Sequence, residues 1–373
     1  MRRRRARAGL VALIATAMAA ALPVLGPVAA EAGSGPARHR PTLTVMTQNL
    51  YLGSPLTPAL DPSVGTPQEF VAAVAQIYGT ALATDFPTRA EAIADTIAQQ
   101  RPDLIGLQEV TDWVATPLRA GAAPPSQDFL AILVDALEER GLAYDVAAVV
   151  DNADIGPAPL VAPGFGCGVT ATDCVVNLRD RDVILVSRDT PGLTWWGPRT
   201  GRYAAQQTFT PPGSIPVSFA RGWASIEAKY RGERFRFVDT HLEVSAFPEV
   251  QEAQAREFLA GPARARKAVV AVGDFNSAAD GSTTASYALL TQRLSDAWSV
   301  EPGDPGYTSG QNGTLSNGTS ELSRRIDLIL TRSSWRTRMR PVAAEVVGDT
   351  PFQDVVPRWA SDHAGVVATL TLR

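Results

Sequence analysis

Val269-Val270-Ala271-Val272-Gly273-Asp274-Phe275-Asn276-Ser277 is the stretch on which the reading of this chain turns. Its first four residues are apolar and mostly β-branched, the make-up of a buried strand. Gly273 ends the run, and Asp274 and Asn276 follow at once. At a period of two residues, both side chains leave the strand end on the same side. One supplies an anionic oxygen, the other an amide that donates and accepts. An Asp and an Asn there either open a loop after a core strand or belong to a polar site. The other strands decide between them.

Upstream, Leu43–Gln48 reads as a first strand ending at Asn49, and residues 68–83 suggest a helix. In Thr88-Arg89-Ala90-Glu91, Thr88 reads as an N-cap with Glu91 completing a capping box. Ala90, Ile93, Ala94 and Ile97 then form one apolar face. Pro102 stops that helix, and Asp103–Gln108 reads as a second strand ending at Glu109. Ser126 is expected to cap a third helix that buries Phe129, Leu130, Leu133 and Leu137 and ends at Gly141. Strands alternating with helices argue for parallel pairing. The middle differs: strands at 183–187, 203–209, 217–229 and 234–240 follow with few helices between them. Tyr230-Arg231-Gly232-Glu233 reads as a hairpin turn. A helix near 248–260 leads into the 269–273 strand. Gly303–Ser323 is expected to be a long surface loop, with Arg325–Leu330 and Ala364–Leu372 as closing strands. No internal repeat or charge block marks a boundary, so residues 42–373 read as one α/β domain with helices outside a mixed sheet or two sheets.

The chain's start has a different composition. Arg2–Arg5 and Arg7 make a basic n-region, and Leu10–Leu25 is apolar. Val28-Ala29-Ala30 and Ala30-Glu31-Ala32 both suit signal cleavage. Pro23 and Pro27 interrupt a run already short of the roughly 18 apolar residues a membrane span needs. The expectation is a signal peptide over 1–32, a polar linker over 33–41 carrying an idle His39, and a secreted, monomeric product. Cleavage after Ala32 would remove five arginines and Glu31, leaving 29 basic against 37 acidic residues, a net charge of about −8. Such a balance disfavours passive binding of nucleic acid, which needs clustered Lys and Arg, but suits recruitment of divalent cations. Cys167 and Cys174, in a Gly-rich segment of an exported chain, are expected to pair as a disulfide.

Five strands deliver a polar group at or beside an end: Asn49, Glu109, His241, Asp274 with Asn276, and Asp362-His363. A sixth group, Asp327, lies within Arg325–Leu330, where an unpaired charge is costly. The chain has three histidines, and two of them fall in this set. Each member alone has a structural explanation, but such explanations are independent of one another, whereas one shared site accounts for all of them.

Thr-Gln-Asn-Leu-Tyr at 47–51, Leu-Gln-Glu-Val at 107–110, Asp-Thr-His-Leu at 239–242, Gly-Asp-Phe-Asn-Ser at 273–277, Arg-Ile-Asp-Leu at 325–328 and Ser-Asp-His at 361–363 occur in this order. The set resembles the endonuclease/exonuclease/phosphatase superfamily, to which deoxyribonuclease I and the neutral sphingomyelinases belong. The resemblance implies a four-layer α/β/β/α sandwich of two mixed sheets flanked by helices. It implies a metal-dependent phosphoesterase, most directly a phosphodiesterase, acting by in-line attack of water. Glu109, with Asn49 and Asp362 nearby, would hold Mg²⁺ (Mn²⁺ or Ca²⁺ being alternatives), a cation that takes few carboxylates. His241 and Asn276 would donate to phosphoryl oxygens. Asp274 would orient or deprotonate the water, and Asp327 would hold His363. Either Asp274 or His363 would be the general base. The substrate is a phosphoester, with nucleic acid and phospholipid head group both open.

The family also places an acidic or tyrosine side chain near the phosphate from the strand before His241. Here Asp180, Arg181 and Asp182 cluster, and Asp182 is the expected partner of His241. Neither basic DNA-gripping loops nor an apolar lipid-inserting hairpin is evident in the sequence. Gly164-Phe165-Gly166-Cys167-Gly168 leads into no helix, which excludes a dinucleotide loop, and Gly-x-Ser-x-Gly and His-Glu-x-x-His are absent. The competing class is a secreted binding protein that keeps the fold without catalysis.

Overall fold

Period-two alternation of apolar side chains lays down two sheets face to face in the computed structural model, which describes residues 42–118, 124–163, 167, 173–210 and 217–373. The expected signal peptide and linker, with His39, lie outside the described residues. The first strands are β1 (Thr42–Asn49), β2 (Leu104–Gln108), β3 (Asp112–Pro117), β4 (Gln127–Asp128), β5 (Tyr144–Leu160) and β6 (Cys174–Ser187). There follow β7 (Leu193–Arg202), β8 (Gln207–Phe209), β9 (Val217–Phe219), β10 (Gly222–Tyr230), β11 (Glu233–His241) and β12 (Ala268–Asp274). The last are β13 (Ser295–Asp296), β14 (Asp327–Arg332), β15 (Met339–Val347) and β16 (Gly365–Leu372). The helices are α1 (Thr57–Leu60), α2 (Pro67–Ala83), α3 (Phe86–Gln100), α4 (Phe129–Glu139), α5 (Pro248–Ala260) and α6 (Ser286–Thr291).

One sheet runs β15-β16-β1-β2-β6-β3-β4, with β5 also paired to β6, and the other runs β13-β14-β12-β11-β10-β7. Both are mixed, because β1 pairs β2 in parallel and β11 pairs β12 in parallel while their other neighbours are antiparallel. Three apolar cores separate the layers. Leu43, Val45, Ile184, Ala224, Phe237, Val270 and Val272 fill the space between the sheets. Met46, Ile105, Leu107 and Leu185 meet Ile77, Ile93, Ile97 and Leu133 of α2, α3 and α4. Val238, Val269 and Ala271 meet Ala255, Phe258 and Leu290 of α5 and α6. Adjacent residues Val269 and Val270 point into different cores, so the run at 269–272 is apolar throughout because both its faces are covered. The outcome is the α/β/β/α order expected of the sequence.

Several local expectations are corrected. Helix α3 starts at Phe86, not after Thr88, because Pro87 fits a first helical turn, and its N-cap is Asp85. Thr88 Oγ1 donates to Asp85 Oδ2 (2.6 Å). The capping box belongs to α2 instead, where Thr66 and Glu69 cap each other's backbone. Asp128, not Ser126, caps α4 by accepting from the N–H groups of Leu130 and Ala131. Of the strand expected over 203–209 only Gln207–Phe209 forms, as β8, while β7 precedes the expected span; the strand expected over 217–229 is divided between β9 and β10. Strands β3, β5 and β15 went unread; β5 carries Asp, Asn and a Gly-Pro pair, and it keeps its pairing to β6 only through register shifts. Arg231 and Gly232, both at positive φ, form the expected hairpin turn between β10 and β11. Cys167 and Cys174 are disulfide-bonded as expected. Among the described residues no helix is long and apolar enough to cross a membrane.

Candidate active site

Strand register brings three of the expected residues into one row. His241 ends β11 opposite Asp274, the last residue of β12. Asp274 in turn lies opposite Asp327, the first residue of β14. In the other sheet, Asn49 ends β1 opposite Gln108, which places Glu109 beside it. The two sheet ends meet where Asn49 Nδ2 lies 3.2 Å from both Asp274 Oδ2 and Glu109 Oε1. Asp362 and His363 arrive on the segment before β16, where Ser361 Oγ donates to the Asn49 carbonyl (2.8 Å) and accepts from the His363 N–H (3.1 Å). His241, Asp274, Asp327 and Asn49 make a buried floor, and Glu109, Asn276, Asp362 and His363 are half-buried at its rim.

Backbone geometry at the turn after β12 sets the aim of Asp274 and Asn276. Gly273 has φ 148°, and a Cβ there would lie 1.9 Å from the Thr240 carbonyl oxygen. Asn276 adopts φ 51°, a region Asn tolerates better than most residues. Its N–H donates to Asp274 Oδ1 (2.8 Å), and its Nδ2 donates to the Leu242 carbonyl (3.0 Å). Asp274 Oδ2 lies 3.5 Å from His241 Nε2 and 3.9 Å from His363 Nδ1. His363 Nδ1 lies 2.8 Å from Asp327 Oδ2, the carboxylate–imidazole contact expected.

His241 has the other arrangement. Its Nδ1 is 3.0 Å from Arg221 Nη1. Arginine has donors only, so Nδ1 accepts and the proton sits on Nε2, facing Asp274 Oδ2 at 3.5 Å. Burial, then Arg221 and His363, hold His241 well below the ordinary histidine range, so it is a neutral donor. Burial opposes charge on His363 too, but Asp327, Asp362 and Asp274 outweigh it and hold that imidazole well above the ordinary range. The two histidines are therefore a neutral donor and a cation.

The carboxylates are pushed the opposite way. Burial, then Asp327, lifts Asp274 to about 7. Burial lifts Asp362 to about 7 as well, with Glu109 adding to the rise and His363 countering it. Burial and Asp180 raise Glu109. Asp362 Oδ1 is buried without a hydrogen-bond partner among the described residues. Two mutually repelling carboxylates at the half-buried rim, one with an unpartnered oxygen, match the donor set of a hard divalent cation. Asp274, Asp327 and His363 also bring ligand atoms within 4.8 Å of one another, but the Asp327–His363 hydrogen bond already uses one of those ring nitrogens.

Sequence reasoning missed three contributors and misassigned a fourth. Arg221 is the group at His241 Nδ1, and it lies 3.7 Å from Asp180 Oδ2 and 3.8 Å from Glu243 Oε1. Asp182 is not the partner of His241: it faces Asp239 and Asp180, which with burial hold it well above the carboxylate range. Arg89 is fully buried. Its Nη1 donates to the carbonyls of Leu50 (2.6 Å) and Ala360 (2.9 Å), its Nε to Thr84. It ties together the segments that carry Asn49 and Asp362. The 303–323 segment is more than a surface loop, since Gly310 and Gln311 donate to the Asp362 carbonyl and Ser309 Oγ lies 3.4 Å from His363 Nε2. Of these, only Arg221 had a signal: a lone Arg in a run otherwise apolar, just ahead of a strand.

Strand-end carboxylates, two imidazoles in opposite charge states and an Asn amide, on a sandwich of two mixed sheets, define a phosphoester-processing class of site. The model of the endonuclease/exonuclease/phosphatase family matches residues 46–363, and the chain belongs to that family. No curated protein matches the sequence. Solved structures share the fold. The endonuclease/exonuclease/phosphatase from Bacteroides vulgatus is 16% identical with TM-score 0.51, covering 90% of this chain and 100% of its own. D. rerio TDP2, humanized by 14 mutations, is 14% identical with TM-score 0.52, covering 88% of this chain and 99% of its own. The family protein from Beutenbergia cavernae is 22% identical with TM-score 0.50, over 89% of this chain and 72% of its own.

Proposed function

We propose that this chain is a secreted, Mg²⁺-dependent phosphodiesterase. The observation that carries the reading is the position of Asp274, whose Oδ2 faces His241, His363 and Asn49 together. A phosphoryl group seated on the half-buried rim would receive hydrogen bonds from His241 Nε2–H and from the Asn276 amide. These donors are fixed before charge builds on the phosphoryl oxygens, which is where preorganised dipoles are worth most. Asp274, ionised as pH passes about 7, orients the attacking water and accepts its proton. The His363 imidazolium, held by Asp327, lies beside that carboxylate and stabilises its charged form. Glu109 and Asp362, with the Asn49 amide beside them, would hold the Mg²⁺, which neutralises phosphoryl charge and steadies the leaving oxygen. Arg221 keeps His241 in the tautomer that presents its proton to the substrate.

Hydrolysis of bis-p-nitrophenyl phosphate with and without EDTA tests this. Activity that needs added Mg²⁺ and vanishes in Asp274→Ala is expected; metal-independent turnover, or full activity in the variant, would overturn it. One solved structure with the fold, D. rerio TDP2, is complexed with a single-strand DNA product, which makes a nucleic-acid substrate the first to try. Plasmid nicking against sphingomyelin hydrolysis separates the two substrate classes.

A further inference from the structure

The strands that end at the candidate site begin or end, at their other extremity, on a surface of opposite electrostatic character. β11 runs from Glu233 to His241, β12 from Ala268 to Asp274, and β14 returns from Asp327 to Arg332. The far end thus lies about 20 Å from the site, at ~3.3 Å per residue along β12. There Lys229 and Arg234 stand opposite each other across the β10–β11 hairpin, and Arg231 sits in its turn. The β14–β15 loop abuts them, since Thr337 Oγ1 donates to the Arg234 carbonyl (3.4 Å). That loop carries Trp335, Arg336 and Arg338, all exposed. Arg264 and Arg266, exposed in the segment before β12, join the same end, where Arg332 Nη2 donates to the Ala265 carbonyl (2.8 Å).

None of these seven exposed basic residues takes part in an ion pair among the described residues. The nearby Glu227 is already taken by Arg236 and Lys267, which leaves Glu233 as the hairpin's own opposing charge. In a chain of net charge −4, such a cluster holds self-repulsion that an anionic partner would relieve. At its tip, Trp335 is 81% exposed, the most exposed large hydrophobic side chain among the described residues, and the Arg336 guanidinium lies 4.3 Å over its ring.

We propose that this end is a docking surface for anionic phospholipid bilayers. An exposed indole with an arginine over its ring suits the headgroup layer, where amphipathic rings settle and nearby basic residues are attracted to acidic lipid. A nucleic acid would match the charge but not the use. A strand gripped here is held about 20 Å from the catalytic carboxylates, whereas an anchor works at any distance. Docked this way, the chain turns its candidate active site away from the membrane, toward phosphoesters in solution.

Co-sedimentation of the full chain with phosphatidylcholine vesicles, with and without phosphatidylglycerol, tests the proposal, with the N-terminal segment common to every variant. Binding to the anionic vesicles alone is expected. Arg336→Glu combined with Arg338→Glu should lower partitioning at least about tenfold, and Trp335→Ala should lower it by a smaller factor, with thermal unfolding unchanged in both. Arg336→Lys with Arg338→Lys keeps the charge and should bind as the native chain does. Undiminished binding in the charge-reversed and Trp335 variants would overturn the proposal, as would equal binding to neutral vesicles, loss of binding in the Lys variant, or retention on duplex DNA without vesicle binding. Because bilayer binding is read without turnover, it stands or falls separately from the phosphodiesterase assignment.

Discussion

The two ends of the central strands solve the problem of polar groups in opposite ways. At the site end, Asp274, Asp327, Asn49 and His241 are buried, and together with His363 they make contacts of 2.8 to 3.5 Å. Charge is concentrated there, so desolvation sets protonation states and moves two carboxylates to about 7. At the far end, seven basic side chains and Trp335 reach into solvent, the basic ones without ion-pair partners among the described residues. The same sheet therefore presents a preorganised interior at one extremity and a solvated, adaptable surface at the other. Buried arrangements are sensitive to one atom, while exposed ones respond to total charge. Substitutions at the two ends should differ accordingly.

The largest contrast is expected in catalysis. Asp274→Asn should lower kcat/KM on a soluble phosphodiester by about a thousandfold, the scale of a lost general base, while vesicle binding stays unchanged. Its stability should move the other way. Asp274 and Asp362 bind protons in the folded state up to about pH 7, whereas unfolded carboxyls release theirs near pH 4, as roughly expected of the free side chain. The unfolded state therefore holds fewer protons across that window, and the metal-free fold loses stability as pH rises through it. Removing one of these carboxylates should raise the midpoint of thermal unfolding at pH 8; a lower midpoint would contradict the burial argument.

A somewhat smaller effect is expected at Arg89. Arg89→Leu strands buried carbonyls of Leu50, Thr84 and Ala360 and should cost about 3 kcal/mol in urea unfolding. Arg336→Leu at the far end, with no such partners, should stay within about 0.5 kcal/mol of native. Equal losses at both would erase the distinction between the ends. Next comes pH. Activity with Mg²⁺ present should rise with pH about tenfold per unit below its midpoint and then level, as Asp274 fills its ionised form; raising the Mg²⁺ concentration should move this limb to lower pH, because a cation favours the carboxylate. Smallest is salt: raising ionic strength should weaken vesicle binding while leaving hydrolysis nearly unchanged, since exposed charges are screened and buried ones are not.

Much of the site was legible before any coordinates. A β-branched run followed by Gly-Asp-Phe-Asn can be read locally, because strand period and strand ends are short-range properties. The same holds for Asn49, Glu109, His241 and Asp362-His363, each at the end of an apolar run. Their order along the chain carried the family and, through it, the layered sandwich. Capping was less legible, since Thr88 and Ser126 lie close to alternatives with equal chemistry, and proline placement and backbone geometry chose among them. Strand β5 escaped because its Asp, Asn and Gly-Pro residues hide a pairing that survives through register shifts.

By itself the sequence determined which residue types stand at which strand ends, because that depends on periodicity over a few positions. Tertiary structure alone decided how they meet. The row His241–Asp274–Asp327 exists through the registers of three strands, and Arg221, not Asp182, meets the His241 ring because the segment leading into β10 brings it there. Arg89 reaches the Ala360 carbonyl across 271 positions of chain while also holding the Leu50 carbonyl. Net charge, too, was a sum until folding distributed it: an acidic chain gathers seven unpaired basic side chains at one end of a sheet. Contacts between residues far apart in sequence follow from sheet order and register, and no local pattern encodes them.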